Sequence, residues 1–267
     1  MIKIRKLLLF ALAVITLSAC DMFKIDNYDS PNATLKGKIL DEVTSELVQT
    51  ELNSGSRFQF QDLGPEFTTG LQARVINYTG EYQDKLFFSG EYFISFNECN
   101  FYPFNVDKLV VKKGENVFDY KVKPYIRVKN VNIRQEGNLI VATCNLQAGH
   151  PEVRLSNVRL YAATDVHVGQ GNTAHNPGPL ETSTNPGGGL YQINGSSSEP
   201  IDENTTYRLY FNLSHDNNKA FFKIKKNYYL RVGAIATVPN PSAVTSASVG
   251  TIRRNYAPHT VINFNAP

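Results

Sequence analysis

The feature that most limits what this chain can fold into is its rhythm. From Thr34 onward, short runs of β-branched and aromatic residues alternate with polar ones, and Gly, Pro, Asn or Asp separate the runs. Period-two alternation of this kind puts one set of side chains on each face of a strand. A first series covers Thr34–Leu40, Arg57–Gln61, Gln72–Asn77, Gly90–Phe96, Lys108–Lys112 and Asn116–Val122. A second covers Tyr125–Arg134, Asn138–Leu146, Val153–Ala163, Tyr207–Leu213, Asn227–Ala236 and Thr260–Phe264. Lys113-Gly114-Glu115-Asn116 and Gln135-Glu136-Gly137-Asn138 read as hairpin turns. No window of a dozen residues holds an apolar stripe at helical spacing without Gly or Pro interrupting it. The expectation is therefore an all-β chain of sandwiches or partial barrels. About 235 residues follow residue 31, which suits two tandem β-sandwich domains better than one. Pro124, between two strand runs, is the natural boundary, giving domains at 32–124 and 125–267.

Ahead of the strands lies a segment of another kind. Lys3, Arg5 and Lys6 precede an apolar core from Leu7 to Leu17, followed by Ser18 and Ala19. The core is too short to span a bilayer, which needs about 20 residues, and reads as an export signal over residues 1–19. Its end, Leu17-Ser18-Ala19-Cys20, resembles the lipobox of bacterial lipoproteins. That resemblance implies cleavage before Cys20 and attachment of lipid to its thiol. Membrane affinity then follows from acyl burial, about 0.8 kcal/mol per methylene, with several chains needed for a stable anchor. Residues 20–31 are polar and aperiodic, as expected of an anchor and tether. Among them Asp21, Asp26 and Asp29 lack the ordered spacing of a calcium loop. In the lipoproteins this chain resembles, acidic residues after the lipidated cysteine accompany display on the outer face of the outer membrane.

The signal also explains the charge. The whole chain carries a formal +3, and residues 1–19 hold three positive and no negative side chains, so the remainder is 3 − 3 = 0. A neutral protein has no net attraction to nucleic acid. Lys223, Lys225 and Lys226 read as a solvated strand face. With Cys20 committed to lipid, Cys99 and Cys144 remain, expected as buried, unpaired thiols in different domains.

Several landmarks carry a family resemblance. The first domain opens with Leu35-Lys36-Gly37-Lys38-Ile39-Leu40-Asp41-Glu42-Val43-Thr44-Ser45-Glu46-Leu47-Val48. This resembles the start of carboxypeptidase-regulatory-like, transthyretin-like domains: a strand with Gly, then a polar turn, here Asp41 to Glu46. It departs from that pattern at Ser45, where glycine is usual, and at Val48. Gly80-Glu81-Tyr82-Gln83-Asp84, Gly90-Glu91-Tyr92, Asn100-Phe101-Tyr102-Pro103 and Val122-Lys123-Pro124-Tyr125 follow. The series is similar to a family of uncharacterised Bacteroidetes lipoproteins associated with SusC/SusD-type glycan-uptake loci. The resemblance implies a surface-exposed, lipid-anchored accessory protein with glycan and SusC/SusD-like proteins as partners, and it brings no catalytic residues. In the second domain, Tyr229-Leu230-Arg231-Val232-Gly233-Ala234 resembles the penultimate strand of fibronectin type III domains, implying an immunoglobulin-like sandwich. Alternation places Tyr229, Arg231 and Gly233 on one face, and Leu230, Val232 and Ala234 on the other. Tyr228 or Tyr229 is a candidate corner residue of such a sandwich.

Chemistry is harder to find. His150, His167, His175, His215 and His259 show no metal-ligand spacing, and there is no zinc helix, serine-hydrolase elbow, phosphate loop or dinucleotide fingerprint. Carboxylates such as Asp62, Glu66, Asp84, Glu91, Asp165, Glu181, Asp202 and Glu203 are scattered rather than paired, so no catalytic, metal or cofactor residues are assigned. A glycosidase needs two carboxyls held across a cleft, and small sandwiches offer little cleft. The expectation is a binding protein. A protein-binding scaffold and a hydrolase with an unrecognised acidic site stand as rivals. Sugar surfaces use exposed aromatic rings beside polar groups. With no tryptophan, the candidates are Tyr78, Tyr82, Tyr102, Tyr161, Tyr191 and Tyr256. Core positions are expected for most of them, and Tyr191 is the exception. It lies in a Gly/Asn/Ser/Pro-rich insertion, residues 168–200, that includes Asn176-Pro177-Gly178-Pro179 and Asn185-Pro186-Gly187-Gly188-Gly189. A segment like this serves either as a loose insertion or as a ligand loop. Tyr191, Asn185, Gln192 and Asn194 are its candidate ligand residues.

Overall fold

Side chains from neighbouring runs meet in two large apolar clusters and a small third one around Tyr161, Val168 and Tyr256, and the computed structural model shows why the alternation had to produce the large ones. It describes residues 30–52, 55–65, 70–171, 190–192, 199–237 and 254–264. Nearly all of the regular structure is strand. The first cluster lies between two sheets. One has β1 (Ala33–Asp41) at its centre, antiparallel to β4 (Glu81–Phe87) on one side. On its other side β1 runs parallel to β7 (Gly114–Val117) and then to β8 (Tyr120–Val122). The facing sheet is antiparallel, in the order β3 (Gln72–Val75), β2 (Arg57–Asp62), β5 (Gly90–Glu98), β6 (Asn105–Val111). Rings from the two sheets interlock: Phe58 on Tyr82 at 5.2 Å, Phe60 on Phe87 at 4.8 Å, and Phe96 on Tyr120 at 4.9 Å. Each buried ring of this size contributes about 1.5–3 kcal/mol.

The second cluster begins at Tyr125, immediately after Pro124. A three-stranded sheet is ordered β14 (Thr206–Asn212), β10 (Leu139–Ala148), β9 (Ile126–Glu136). It packs on a sheet built around β11 (Arg154–Ala163) and β15 (Lys226–Thr237). Two short strands, β12 (Leu190–Gln192) and β13 (Glu199–Pro200), pair with the free side of β11. On the far side of β15 lie β16 (Arg254–Tyr256) and β17 (Thr260–Phe264). The β9–β10 hairpin turns as expected at Gly137, whose φ of 56° favours glycine. Tyr228, fully buried, donates its hydroxyl to Ile224 O at 2.8 Å, with Phe221 O at 3.0 Å as the alternative acceptor. It therefore ties the sandwich corner as anticipated.

Several expectations are corrected. Lys113–Asn116 is not a hairpin: β6 and β7 belong to different sheets, and the chain crosses between them before β7 runs parallel to β1. The Asn116 side chain closes this corner by donating to Lys112 O at 2.6 Å and accepting from Lys112 N at 2.9 Å. Asn116–Val122 is two strands, because Phe118 and Asp119 step off the ladder; Asp119 instead accepts from Lys38 N at 2.9 Å. Lys223 and Lys225 do not lie on a strand face. They follow a short helix, α1 (Asp216–Phe221), and only Lys226 enters β15. The strand β4 escaped the reading because its alternation breaks: Asp84 is half-buried, paired with Arg74, and Leu86 is exposed beside the buried Phe87. Within 168–200, residues 168–171 are bonded into the body of the protein and 190–192 and 199–200 are strand, so the insertion is not uniformly irregular. Cys20, Asp26, Asp29, His175, Asn185 and Asn194 lie outside the described residues.

Cys99 and Cys144 are free, buried, and each in a different apolar cluster. Burial pushes the Cys144 thiol up to about 12 and raises Cys99 well above its ordinary value, so both stay protonated and unreactive. The turn from Asp41 to Glu46 closes with Asp41 N donating to Glu46 O at 2.8 Å. Ser45 stands in it with φ of 58°, the left-handed conformation that glycine adopts freely. Ser45→Gly is expected to stabilise the protein by about 0.5–1 kcal/mol, after allowing for the greater freedom of unfolded glycine. A higher urea midpoint with an unchanged slope would report this.

Candidate functional site

The face of β15 that carries Tyr229, Arg231 and Gly233 points away from its own sandwich core. An outward arginine on a sandwich strand would ordinarily be solvated, yet Arg231 has 0% of its surface exposed. The first sandwich covers it. Its guanidinium donates to Ala257 O at 2.7 Å, Thr50 O at 2.7 Å, Val168 O at 3.2 Å, Gln49 Oε1 at 3.3 Å and Tyr78 O at 3.3 Å. Its sixth neighbour of note is a ring: the guanidinium lies 4.5 Å above the centroid of Tyr256. Burial pulls its pKa down to about 10, so it remains charged at neutral pH. Gly233 completes this face; a Cβ there would meet the Tyr256 and Tyr161 rings at 2.8–2.9 Å.

Polar groups around the arginine form further pairs. Glu51, buried at the same seam, pairs with Arg254 at 2.5 Å and accepts from Gly171 N at 2.6 Å. Asn100 donates to Gln49 O at 2.7 Å and Arg254 O at 3.0 Å. Asn255 bridges Asn100 O at 2.8 Å and Ile126 N at 3.1 Å. A second buried pair, Asp41 with Arg127, forms a two-pronged contact at 2.5 and 2.8 Å.

At the rim of this seam four aromatic side chains converge, all half-buried. Tyr78 meets His167 edge-on at 5.1 Å and His259 at 6.0 Å, and His259 meets Tyr229 at 5.3 Å. Each sits beside an Arg231 contact. Tyr78 supplies an acceptor carbonyl itself, His167 precedes Val168, His259 follows Ala257 by two residues, and Tyr229 precedes Arg231 by two on the same face. One buried cation thus fixes four backbone segments and with them the ring cluster. The exposed Asp165 accepts from His167 N at 2.8 Å and faces its Nδ1 at 2.5 Å, which assigns the proton to Nδ1. The His167 backbone N–H, then its ring, holds the Asp165 carboxyl below its ordinary pKa, so it stays an ionised acceptor. Half-buried rings edged by a carboxylate and imidazoles suit a ligand with apolar C–H faces and polar rims. Among the described residues no group of His, Cys, Asp and Glu could hold a metal ion, and no helix is long and apolar enough to cross a membrane.

The tyrosines divide. Tyr82 is buried in the first core, and Tyr161 and Tyr256 are buried in the small apolar cluster beside Arg231. Tyr102 is half-buried, its ring tilted against that of Tyr125 at 4.9 Å. Tyr191 and Gln192 lie on β12, paired with Val158 and Asn157 across β11 from the strand that bears Tyr229. Of the cluster, Tyr78 was legible as a loop tyrosine, but His259 and Tyr229 were not. The available signal was Arg231 itself, the one charged residue in the run Tyr228–Ala236.

No protein-family model and no curated protein matches the chain. Among solved structures, a protein of Bacteroides uniformis described as a putative carbohydrate binding protein is 38% identical, with a TM-score of 0.74. The match covers 88% of this chain and 100% of that one. DUF3823 family proteins of Parabacteroides merdae and Bacteroides ovatus share the fold at 16% and 18% identity, with TM-scores of 0.62 and 0.61. The former match covers 88% of this chain and 100% of that one, the latter 86% and 98%.

Two outcomes follow from the geometry. Replacing Arg231 with Met strands several buried carbonyls, and a loss of about 3–5 kcal/mol is expected in chemical unfolding. Burial, then the Arg231 charge, lowers the His259 pKa below 6.5. The unfolded chain therefore binds the proton more readily, and stability falls as the pH drops through 6.5 toward the folded value, while above 6.5 this contribution is constant. His259→Gln should flatten that part of the pH–stability curve. Over the full length of the relative, the identity is high enough to show that the chain belongs to the same family as the Bacteroides uniformis protein.

Proposed function

We propose that this chain is a non-enzymatic glycan-binding lipoprotein that works by presenting the Tyr78/Tyr229/His167/His259 cluster to sugar. In this reading it is held through Cys20 on the outer face of the outer membrane and serves as an accessory to a SusC/SusD-like importer. The observation that carries the reading is the ring cluster, edged by Asp165 and set on the rigid seam around Arg231. C–H faces of a sugar ring pack on the tyrosines while its hydroxyls reach the carboxylate and imidazoles. The family relationship supports it, since the relative is described as a putative carbohydrate binding protein. The lipobox and polar tether supply the means of display.

Titrating the protein against a panel of polysaccharides by calorimetry and affinity electrophoresis tests this. At least one glycan is expected to bind, and Tyr78→Ala or Tyr229→Ala to weaken it roughly five- to tenfold, about 1–1.4 kcal/mol. Absence of binding across the panel, in a protein that still co-purifies with importer subunits, would replace sugar by protein as the ligand.

A further inference from the structure

The first sandwich ends, on the side away from Arg231, in an apolar rim. Asn32 fastens the start of β1 there. Its N–H donates to Phe87 O at 3.1 Å, its side-chain oxygen accepts from Ser89 N at 2.8 Å, and its carbonyl accepts from Gly114 N at 2.9 Å. The β4–β5 turn and the β6–β7 crossing therefore lie at this end. So does the β2–β3 loop, because Leu63, just past β2, donates its N–H to Glu91 O at 2.8 Å, beside the start of β5. Five leucine and phenylalanine side chains are exposed among the described residues, and four of them, Leu63, Leu71, Leu86 and Phe88, flank the β2–β3 loop or the β4–β5 turn. The fifth, Leu52, follows Glu51 at the Arg231 seam. Leu86 is 73% and Phe88 44% exposed although Phe87 between them is buried, so the turn holds two large apolar side chains out from the core. Around the same rim Lys85, Lys112 and Lys113 are exposed and enter no ion pair among the described residues. The neighbouring acids are engaged: Asp84 with Arg74, Glu91 with Lys108 at 2.7 Å, Glu115 with Lys36 at 2.8 Å, while Asp62 accepts from Gly64 N at 2.7 Å. Apolar side chains ringed by cations suit a bilayer surface, where the former enter the headgroup boundary and the latter meet anionic headgroups.

The position of the rim names its occupant. Ten residues separate Cys20 from Ser30 (30 − 20), a length that reaches at most about 35 Å, and they join the body beside Asn32. We infer that this rim docks on the lipid bilayer, with Leu86 and Phe88 in the interface and Lys85, Lys112 and Lys113 on anionic lipid headgroups. The inference rests on the Cys20 anchor of the proposed function and not on its sugar ligand. Asp41, at the far end of β1, and Tyr78, in the β3–β4 turn, lie at the opposite end and meet Arg127 and Arg231 of the second sandwich. Docking by the rim thus turns the ring cluster away from the bilayer.

The chain has no tryptophan, so one introduced indole reports its own surroundings. L86W and F88W place it on the rim, and V43W, on the exposed turn at the other end of β1, is the control. The lipidated proteins are reconstituted into phosphatidylethanolamine vesicles, with and without phosphatidylglycerol, whose acyl chains are brominated near the headgroup. Unfolding midpoints verify that each variant is folded, flotation with the vesicles reads the anchor, and bromine quenching reads the depth of the indole. L86W and F88W are expected to emit further to the blue than V43W and to be quenched at least about twofold, while V43W is not quenched. Phosphatidylglycerol should deepen the quenching, and K85Q/K112Q/K113Q should remove that gain. A protein that does not float removes the anchor and the inference together. Flotation with L86W and F88W quenched no more than V43W overturns the inference alone. So does a blue-shifted but unquenched indole, which assigns the rim to a protein partner, or a phosphatidylglycerol gain that survives loss of the lysines.

Discussion

The buried guanidinium of Arg231 joins the molecule's two sheet pairs and carries its ring cluster between them. Taking a charge out of water is costly unless each donor finds an acceptor. Arg231 meets that requirement by drawing carbonyls from four stretches of chain: Thr50, Tyr78, Val168 and Ala257. Neither sandwich satisfies it alone. The cost of stranding this charge therefore fixes how the first sandwich sits against the second, more sharply than apolar contact would. Apolar surfaces tolerate sliding; a fork of directed hydrogen bonds does not.

The polar character of the seam follows. Glu51, Asn100, Asn255, Asp41 and Arg127 are all buried there, and the contacts described above join them to one another, to Arg254 or to backbone. The apolar clusters on either side are closed by their own side chains, from Leu35 to Val122 in one and from Tyr125 to Ala236 in the other. Stability resides in those two clusters, and geometry resides in the seam. The aromatic platform inherits that geometry because Tyr78, His167, Tyr229 and His259 flank the arginine's contacts.

Much of this architecture was legible because strand formation is local. Alternation in Thr34–Leu40 or Asn138–Leu146 predicts which side chains face inward, and Ile39, Ile140 and Ala142 do so. Turn chemistry was readable where it serves a hairpin, as at Gly137, and misleading where the same residues mark a change of sheet, as at Gly114. The platform was not legible. His167 and His259 are 92 residues apart in sequence (259 − 167), and only a sheet register and a buried cation bring both to Tyr78. Around Tyr191 the surroundings are polar and Gly-rich, and the backbone pairs as a strand with β11. Composition marks where a chain is free to be irregular. It does not mark where distant segments are forced together.

The position of β1 has a mechanical meaning. It is the first strand among the described residues, and it lies at the centre of its sheet with β4 on one side and β7 and β8 on the other. Any pull arriving from residues ahead of Ala33 runs along the strand axis. Extracting β1 would shear its hydrogen bonds to both neighbours together instead of unzipping them one by one from a free edge. A terminal strand placed at a sheet edge would peel under the same load. Such a load would meet a strand bonded along both of its sides.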